Sequence, residues 1–258
     1  MTELSQHTRT YWGYEYDVTA RFMIPLLRRW GVPVAGSAVL DVGCAEGGGL
    51  CAMHDAGGHC AGYDLDEQRI ASALALQGER NIDFRTGDVY QASRPHPGAE
   101  FDLVMLHDVF EHLDQKQAMM TALAEYLKPD GRLLITFPPY YSAYGAHQQH
   151  LRTWFARLPF FHLVPLAMSR TLPRLRGESP VIVEEIQKLA RLKMGMAKFE
   201  TIPAASGMRI LRKRAYLISP NHIRFGLIPL PAGPVARVPI LSEVLCTGVV
   251  YLLGKARA

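Results

Sequence analysis

The chain contains 258 residues, of which 48% are hydrophobic and 20% are charged, values typical of a soluble α/β protein that buries one core. Residues 1–17 have no apolar core flanked by basic residues, so no secretory signal is predicted. No apolar run reaches the roughly 18 residues of a membrane-spanning helix. The four cysteines show no CxxC spacing, which favours reduced thiols and a cytoplasmic protein.

The net charge of +4 is unevenly distributed. Residues 1–130 contain 19 acidic and 10 basic side chains, whereas residues 131–258 contain 5 acidic and 18 basic ones. No acidic residue lies between Gly131 and Gly177. A basic half either is a solvated surface or favours an anionic acceptor, a membrane surface or a nucleic acid.

The first predicted element is a short amphipathic helix at residues 21–30, preceded by aromatic residues. From residue 37 onward, apolar runs typical of buried parallel strands alternate with helical patterns. The five runs are SAVLDVG, HCAGYDLD, NIDFRTGD, FDLVMLHD and RLLITFP, and two late strands follow within residues 208–219 and 245–255. Five β–α alternations predict a parallel sheet with helices on both faces.

A glycine-rich loop, LDVGCAEGGGL (Leu40–Leu50), follows the first predicted strand. Glycine lets the backbone approach a bound molecule, and ligands of doubly wound sheets bind at the carboxyl ends of the strands. Asp64 ends the second strand 21 residues after Gly43, where it can accept hydrogen bonds from ribose hydroxyls. This pair predicts an adenosine-containing cofactor. A dinucleotide is disfavoured, because Asp41 would face its pyrophosphate, whereas an acid there suits a cation.

Five motifs resemble those of the class I S-adenosylmethionine-dependent methyltransferases, including the type 11 and ubiquinone-pathway O-methyltransferases. They are VLDVGCAEG, GYDLD, RTGDV, FDLVMLHDVFEHL and LKPDGRLLITFP. The resemblance implies a Rossmann-like, mostly parallel sheet of seven strands, with a lid inserted before the last two. It also implies four parts: an N-terminal helical lid (1–36), the cofactor-binding core (37–139), an acceptor lid (140–206) and the last two strands (207–258).

The resemblance implies roles for individual residues. Asp41 and the backbone of the glycine loop would hold the methionine part of S-adenosylmethionine, Asp64 the ribose and Asp88 the adenine amino group. The full predicted cofactor set is Asp41, Gly43, Cys44, Ala45, Gly47, Asp64, Leu65, Asp88, Val89 and His107. Ala45 departs from the family's G-x-G-x-G pattern at the middle glycine, which affects the geometry of the turn more than the identity of the cofactor.

Candidate catalytic residues follow the fifth predicted strand. Methyl transfer to a hydroxyl needs an in-line approach and removal of a proton, and this segment contains His147, His150 and Tyr140. His147 is the first choice as base, because it follows a flexible Gly-Ala pair and imidazole titrates near neutral pH. A surface-loop histidine is the alternative.

A candidate metal site lies in HDVFEHL. Asp108, Glu111 and His112 have i, i+3, i+4 spacing, so a helix would place them on one face, and such side chains bind Mg²⁺ or another divalent ion. The pattern resembles the E-x-x-E-H of ubiquinone-pathway and small-RNA 2′-O-methyltransferases, where it holds a metal, and His147 or His150 would add a ligand. In many metal-free relatives, the residues EHL at the same place cap a helix or pack against neighbouring side chains.

The sequence therefore predicts O-methylation of a small molecule, such as a natural product, with an acceptor that is anionic or apolar and aromatic. N-methylation, a lipid-like or RNA acceptor, and a non-catalytic cofactor-binding protein are the alternatives. A nucleic-acid partner is disfavoured, because no nucleic-acid-binding motif is found. The apolar residues of the lid either pack on the core or form a wall for an aromatic or lipid-like acceptor, and together with its arginines they also suit contact with a membrane surface. Apolar residues 227–245 suit a homodimer.

Overall fold

One sheet of eight strands organises the computed structural model, which describes residues 4–88, 90, 98 and 100–256. The strands are β1 (Ala38–Val42), β2 (His59–Asp64), β3 (Asp83–Thr86), β4 (Phe101–His107), β5 (Leu127–Phe137), β6 (Met208–Ile218), β7 (Leu230–Pro231) and β8 (Gly248–Lys255). Their order is β3-β2-β1-β4-β5-β8-β6-β7. Neighbours among β1–β5 are parallel, whereas β6, β7 and β8 pair antiparallel. The predicted α/β class is confirmed.

The sheet has one strand more than predicted. The additional strand, β7, has two residues and pairs with the end of β6 at the edge of the sheet. Its register, Tyr216 opposite Pro231 and Ile218 opposite Leu230, contains an irregularity. A two-residue strand containing proline has no apolar alternation, so the sequence pattern does not reveal it.

The α-helices of the described residues are α1 (Gln6–Val18), α2 (Ile24–Arg29), α3 (Gly48–Asp55), α4 (Glu67–Leu76), α5 (Lys116–Glu125), α6 (Leu166–Leu175), α7 (Pro180–Leu192), α8 (Met196–Glu200) and α9 (Pro239–Leu245). Short 3₁₀ helices occur at Phe110–His112, Gln148–His150, Trp154–Arg157, Phe161–Leu163, Pro203–Ser206, Pro220–Phe225 and Gly233–Arg237. A π-helical turn, Thr19–Met23, joins α1 to α2. Helix therefore begins at residue 6, well before the predicted residue 21.

Apolar layers cover both faces of the sheet. One layer includes Leu50 and Met53 of α3, and the other includes Phe137, Phe199 and Tyr251, whose rings pack with centroids 4.4–6.0 Å apart. Burial of each such side chain contributes about 1.5–3 kcal/mol. Strand β8 is buried over nearly its whole length, which explains its continuous apolar sequence.

The segment between β5 and β6 has a small core of its own. Its buried residues include Tyr140, Phe155, Phe161, Val183 and Ile186. Tyr140, Phe155 and Phe161, which belong to the predicted lid, therefore pack with residues of α7 and are not exposed to solvent. This core holds the segment over one end of the strands of the sheet.

The carboxyl ends of β1, β2, β4 and β5 lie at that end of the sheet. Strand β6 shares it, because β6 is antiparallel to β8 and β8 is antiparallel to β5. The loops after these strands therefore meet in one place. Within the described ranges, no helix is long and apolar enough to cross a membrane, and all four cysteines are free thiols.

Candidate active site

The loop between β1 and α3 curls around a cavity of about 140 Å³, the smaller cavity. Gly43, Ala45 and Gly47 adopt φ angles of +80°, +50° and +78°. A Cβ at Gly47 would lie 2.5 Å from the ring of Phe84, so this position requires glycine. Ala45 holds a left-handed conformation that costs an L-residue about 1–2 kcal/mol.

Asp64 at the end of β2 holds this loop in place. One carboxylate oxygen accepts a hydrogen bond from the Ala45 backbone N–H at 3.0 Å, and the other accepts from the Asp66 backbone N–H at 3.0 Å. A carboxylate has about four lone-pair sites. Asp64 is therefore oriented by the backbone and still able to accept from the hydroxyls of a ligand.

Asp41 at the end of β1 is a buried acid facing the smaller cavity. The side chain is 6% exposed and Oδ1 has no hydrogen-bond partner among the described residues. Burial raises the pKa of Asp41 to about 7; His107 opposes this rise and Asp64 adds to it. A buried carboxyl group without a partner is unfavourable unless a ligand satisfies it.

The predicted cofactor residues are brought together only in part. Those that line the smaller cavity are Asp41, Gly43, Cys44, Ala45, Asp64 and His107. Gly47, Leu65 and Asp88 line neither this cavity nor the one beside it, and Leu65 is 70% exposed. Asp88 accepts a hydrogen bond from the Tyr90 backbone N–H at 2.9 Å. Val89 lies outside the described residues.

A larger chamber of about 680 Å³ adjoins the smaller cavity. The residues that line both are Tyr11, Tyr14, Met23, Arg69, Asp108 and Thr136. Tyr11 and Tyr14 belong to α1, so the aromatic N-terminal segment forms part of the wall between the two spaces. A cofactor in the smaller cavity would face an acceptor in the larger chamber.

Glu111, His112 and His147 form a carboxylate–imidazole cluster beside the larger chamber. One potential ligand atom from each residue lies within 4.8 Å of the others. Glu111 Oε1 is 3.4 Å from His147 Nε2 and 3.6 Å from His112 Nε2. The two imidazole rings stack with centroids 5.2 Å apart.

The cluster has unsatisfied polar atoms. Glu111 is 2% exposed, and both its carboxylate oxygens and His147 Nε2 have no hydrogen-bond partner in the described part of the chain. Burial raises the pKa of Glu111 to about 8 and lowers the pKa of His147. Oxygen and neutral imidazole ligands of this kind fit a divalent cation.

Glu185 of α7 orients the cluster from outside. His112 Nδ1 lies 2.5 Å from Glu185 Oε1, and this hydrogen bond holds the pKa of Glu185 below its usual range. A carboxylate on one imidazole nitrogen leaves the other nitrogen available as a ligand, and metal-binding histidines usually have such an outer-shell partner.

Asp108, a member of the predicted metal set, lies outside this cluster. Its backbone turns left-handed (φ +53°), and Phe110–His112 is a 3₁₀ turn rather than an α-helix. The expected common face of Asp108, Glu111 and His112 therefore does not form. The Asp108 carboxylate instead accepts hydrogen bonds from Thr136 Oγ1, at 2.9 Å, and from Asn221 Nδ2.

The other two candidate bases lie in different places. His150 lines the larger chamber, and burial lowers its pKa to about 4. Tyr140 is buried in the core of the segment between β5 and β6, where its hydroxyl donates to the His162 carbonyl at 3.3 Å. Tyr140 lines neither cavity, so the structure does not bring it to the site.

Several site residues escaped prediction. Asn221 Oδ1 also lies 3.3 Å from His107 Nε2. Asn221 follows β6, and the direction of β6 could have predicted its place at the carboxyl ends of the parallel strands. Arg69, Glu15 and Glu185 lie on α4, α1 and α7. A single acidic or basic residue on a helix reads as a solvated side chain, so no local signal distinguishes them.

The sheet order and the loop at the end of β1 define a Rossmann-like methyltransferase fold. The magnesium protoporphyrin IX methyltransferase of Synechocystis PCC 6803, solved with bound SAH, superposes with a TM-score of 0.54 and 16% identity, covering 99% of this chain and 90% of that one. At this identity the likeness concerns the fold alone.

Sequence comparison identifies the domain. Residues 40–135 match the family model described as a methyltransferase domain. The ubiquinone biosynthesis O-methyltransferase of Thiobacillus denitrificans is 34% identical over 114 residues, 42% of this chain and 48% of the relative. Phosphoethanolamine N-methyltransferase 2 of Caenorhabditis elegans is 28% identical over 163 residues, 58% of this chain and 36% of the relative.

The chain thus contains a class I S-adenosylmethionine-dependent methyltransferase domain, as its motifs predict. It spans about half the length of the first of these curated relatives, and the match to the family model ends at residue 135. The larger chamber is lined mostly by residues beyond that point.

Proposed function

We propose that this protein methylates a hydroxyl group of a small molecule, with the methionine and ribose parts of S-adenosylmethionine at the smaller cavity and the acceptor in the larger chamber. The observation that carries the proposal is the carboxylate–imidazole cluster, in which the Glu111 oxygens and His147 Nε2 have no partner among the described residues. It lies beside a chamber that shares a wall with the smaller cavity. The cofactor would supply the methyl group on an electrophilic sulfonium. The chain's residues have to hold the reactants in line and manage one proton.

The residues of the smaller cavity fit this cofactor. Asp64 offers a carboxylate fixed by two backbone N–H groups, which suits the two ribose hydroxyls. Asp41 offers a buried oxygen without a partner, which suits the positively charged methionine end. The loop at Gly43–Gly47 brings backbone close to both.

The carboxylate–imidazole cluster fits a divalent cation such as Mg²⁺. Such an ion would lower the pKa of an acceptor hydroxyl bound to it. Glu111, His112 and His147 would be its protein ligands, and Glu185 would fix the orientation of His112. In this assignment His147 is a ligand first, since burial keeps its imidazole neutral at pH 7.

Without a metal, His147 is the group best placed to accept the proton. The neutral imidazole lines the larger chamber, and its Nε2 is free to accept within the described residues. His150 lines the same chamber, but a pKa of about 4 makes it a weak base at pH 7. The metal requirement therefore decides between the two roles of His147.

The chamber wall indicates the kind of acceptor. Aromatic and imidazole side chains line it together with Arg224, and the Arg224 guanidinium lies 5.4 Å from the ring centre of Tyr14. This lining supports an aromatic acceptor with an anionic substituent. The name of the Thiobacillus relative supports O-methylation, whereas the Caenorhabditis relative is named an N-methyltransferase.

Labelling tests the proposal. The purified protein would be incubated with methyl-labelled S-adenosylmethionine and a small-molecule extract, with and without a chelator, and products would be identified by mass spectrometry. We expect an O-methylated aromatic product that disappears with chelator and returns with added Mg²⁺. A product insensitive to chelator would contradict the metal and leave His147 as base. Labelling at nitrogen, or no product despite cofactor binding, would contradict O-methylation of a small molecule.

A membrane surface is a second location for the acceptor, supported by the outer face of the lid. Trp154, Leu163, Met168 and Leu175 are exposed there, and residues 151–176 contain five arginines and no acidic residue. Apolar residues interleaved with arginine suit an anionic bilayer. Sedimentation with anionic liposomes should carry the protein down at low salt, and neutral liposomes should not. Equal sedimentation with both would contradict the electrostatic part of this proposal.

A further inference from the structure

The N-terminal helix α1 places an acid directly over the glycine loop. Glu15 lines the smaller cavity, and the backbone N–H of Gly48 donates a hydrogen bond to its carboxylate. The other oxygen, Oε2, is buried and has no partner in the described ranges. Asp41 and Gly43 line the same cavity as Glu15.

Two more carboxylates surround Glu15. Asp41 Oδ1 and Glu46 Oε2 are buried without partners, and Asp41 is only 6% exposed in the same cavity. Arg69 of α4 is the basic side chain near Glu15 and Glu46, and His107 is the basic side chain near Asp41. Burial and the nearby Glu46 and Asp41 raise the pKa of Glu15 well above its usual range. One guanidinium does not balance three carboxylates, so a further cation would stabilise them.

We propose that Glu15 binds the α-ammonium group at the amino-acid end of S-adenosylmethionine, so that α1 is part of the cofactor site. This inference rests on the proposed function. Asp64 already suits the ribose, whereas the unpaired oxygens of Glu15 and Asp41 need hydrogen-bond donors. The cofactor carries two cationic groups, the sulfonium and the α-ammonium, and only the ammonium has N–H donors.

A purely structural role for Glu15 makes a different prediction. Gly48 begins α3, so the Glu15 carboxylate also caps that helix. In that case, loss of the negative charge would loosen the loop and weaken every ligand of the cavity alike. The amide of Glu15→Gln keeps an oxygen that can accept from Gly48 and removes only the charge.

Calorimetry with two nucleosides separates these roles. S-adenosylhomocysteine carries the α-ammonium, whereas 5′-methylthioadenosine lacks the whole amino-acid end. We expect Glu15→Gln to weaken S-adenosylhomocysteine binding about tenfold or more, the loss typical of a hydrogen bond to a charged group, and to leave 5′-methylthioadenosine unchanged. Asp17→Asn, an exposed acid on the same helix, should change neither affinity.

The ratio of the two Kd values within one variant does not depend on how much of the sample is folded. Glu15→Asp, which keeps the charge, should retain part of the preference for S-adenosylhomocysteine. Equal weakening of both nucleosides by Glu15→Gln, or no weakening of either, would overturn the inference alone. A wild-type protein that binds neither nucleoside would overturn the proposed function as well.

Discussion

Substitution of Asp41 by Asn should stabilise the ligand-free protein at alkaline pH. The buried Asp41 carboxyl has a pKa of about 7 against a usual value of 3.8, and each pKa unit corresponds to about 1.36 kcal/mol. A raised pKa means that the stabilising contribution is complete below about pH 4 and is lost as pH rises through about 7. When the pH rises from about 5 to about 8, the free energy of unfolding of the wild type should therefore fall by about 2–3 kcal/mol relative to that of the variant.

Urea denaturation of both proteins at these two pH values measures the difference. The asparagine side chain has nearly the same shape and no titration, so the free energy of unfolding of Asp41→Asn relative to wild type should rise by that amount. Asp17→Asn, on an exposed part of α1, should stay within about 0.5 kcal/mol at both pH values. An identical pH dependence for wild type and Asp41→Asn would show that this carboxyl is not held unpaired.

Asp41→Asn should also bind S-adenosylhomocysteine more weakly than the wild type does. S-adenosylhomocysteine stabilises a folded protein that binds it in proportion to the logarithm of its concentration over Kd. We therefore expect a saturating amount to raise the unfolding midpoint of the wild type at pH 8 clearly more than that of Asp41→Asn. Equal increments would contradict a role for Asp41 toward the positively charged end of the cofactor.

The other predictions concern neighbouring residues. Glu185→Gln should weaken Mg²⁺ or Mn²⁺ binding about 10–100-fold in calorimetry, because outer-shell carboxylates orient their histidines. Glu184→Gln, on the exposed side of α7, should leave the affinity unchanged. Equal affinities of the two variants would refute the assigned role of Glu185. A Cβ at Gly48 would overlap the Trp12 carbonyl oxygen, so Gly48→Ala should displace α1 and reduce S-adenosylhomocysteine affinity, while Gly13→Ala, which meets nothing, should preserve it. Ala45→Gly should raise the free energy of unfolding by about 1 kcal/mol by relieving its positive φ, and a loss of stability would contradict strain there.

The parts of the fold that sequence predicts are those with a local cause. Buried parallel strands are apolar on both faces, so runs such as Leu103–Leu106 reveal them one at a time. The glycine loop is equally local, since Gly43 and Gly47 are needed by positive φ angles within five residues. Strand β7 forms only because β6 offers it an unpaired edge, and no pattern within two residues encodes that.

The candidate metal site shows where this locality ends. The i, i+3, i+4 spacing of Asp108, Glu111 and His112 predicts one helical face, and the resemblance to E-x-x-E-H adds His147 or His150 as a further ligand. The left-handed turn at Asp108 removes that face, and His147 takes the third place from 35 residues farther along the chain. Glu185 is farther still, and only the docking of α7 against the Phe110–His112 turn brings it to His112.

Both ends of the site depend on segments outside the strands and loops that the motifs cover. Glu15 reaches the smaller cavity from α1, and Glu185 reaches the carboxylate–imidazole cluster from α7. At each place a buried carboxyl group has an oxygen without a partner in the described residues, on Asp41 or Glu111, and its ionised form would be unfavourable unless a cation were present. If cations bind at these places, cation binding and docking of the covering helix would favour each other, because each helix supplies a carboxylate beside the site. Such a coupling would give α1 and α7 a role in ligand binding as well as in packing.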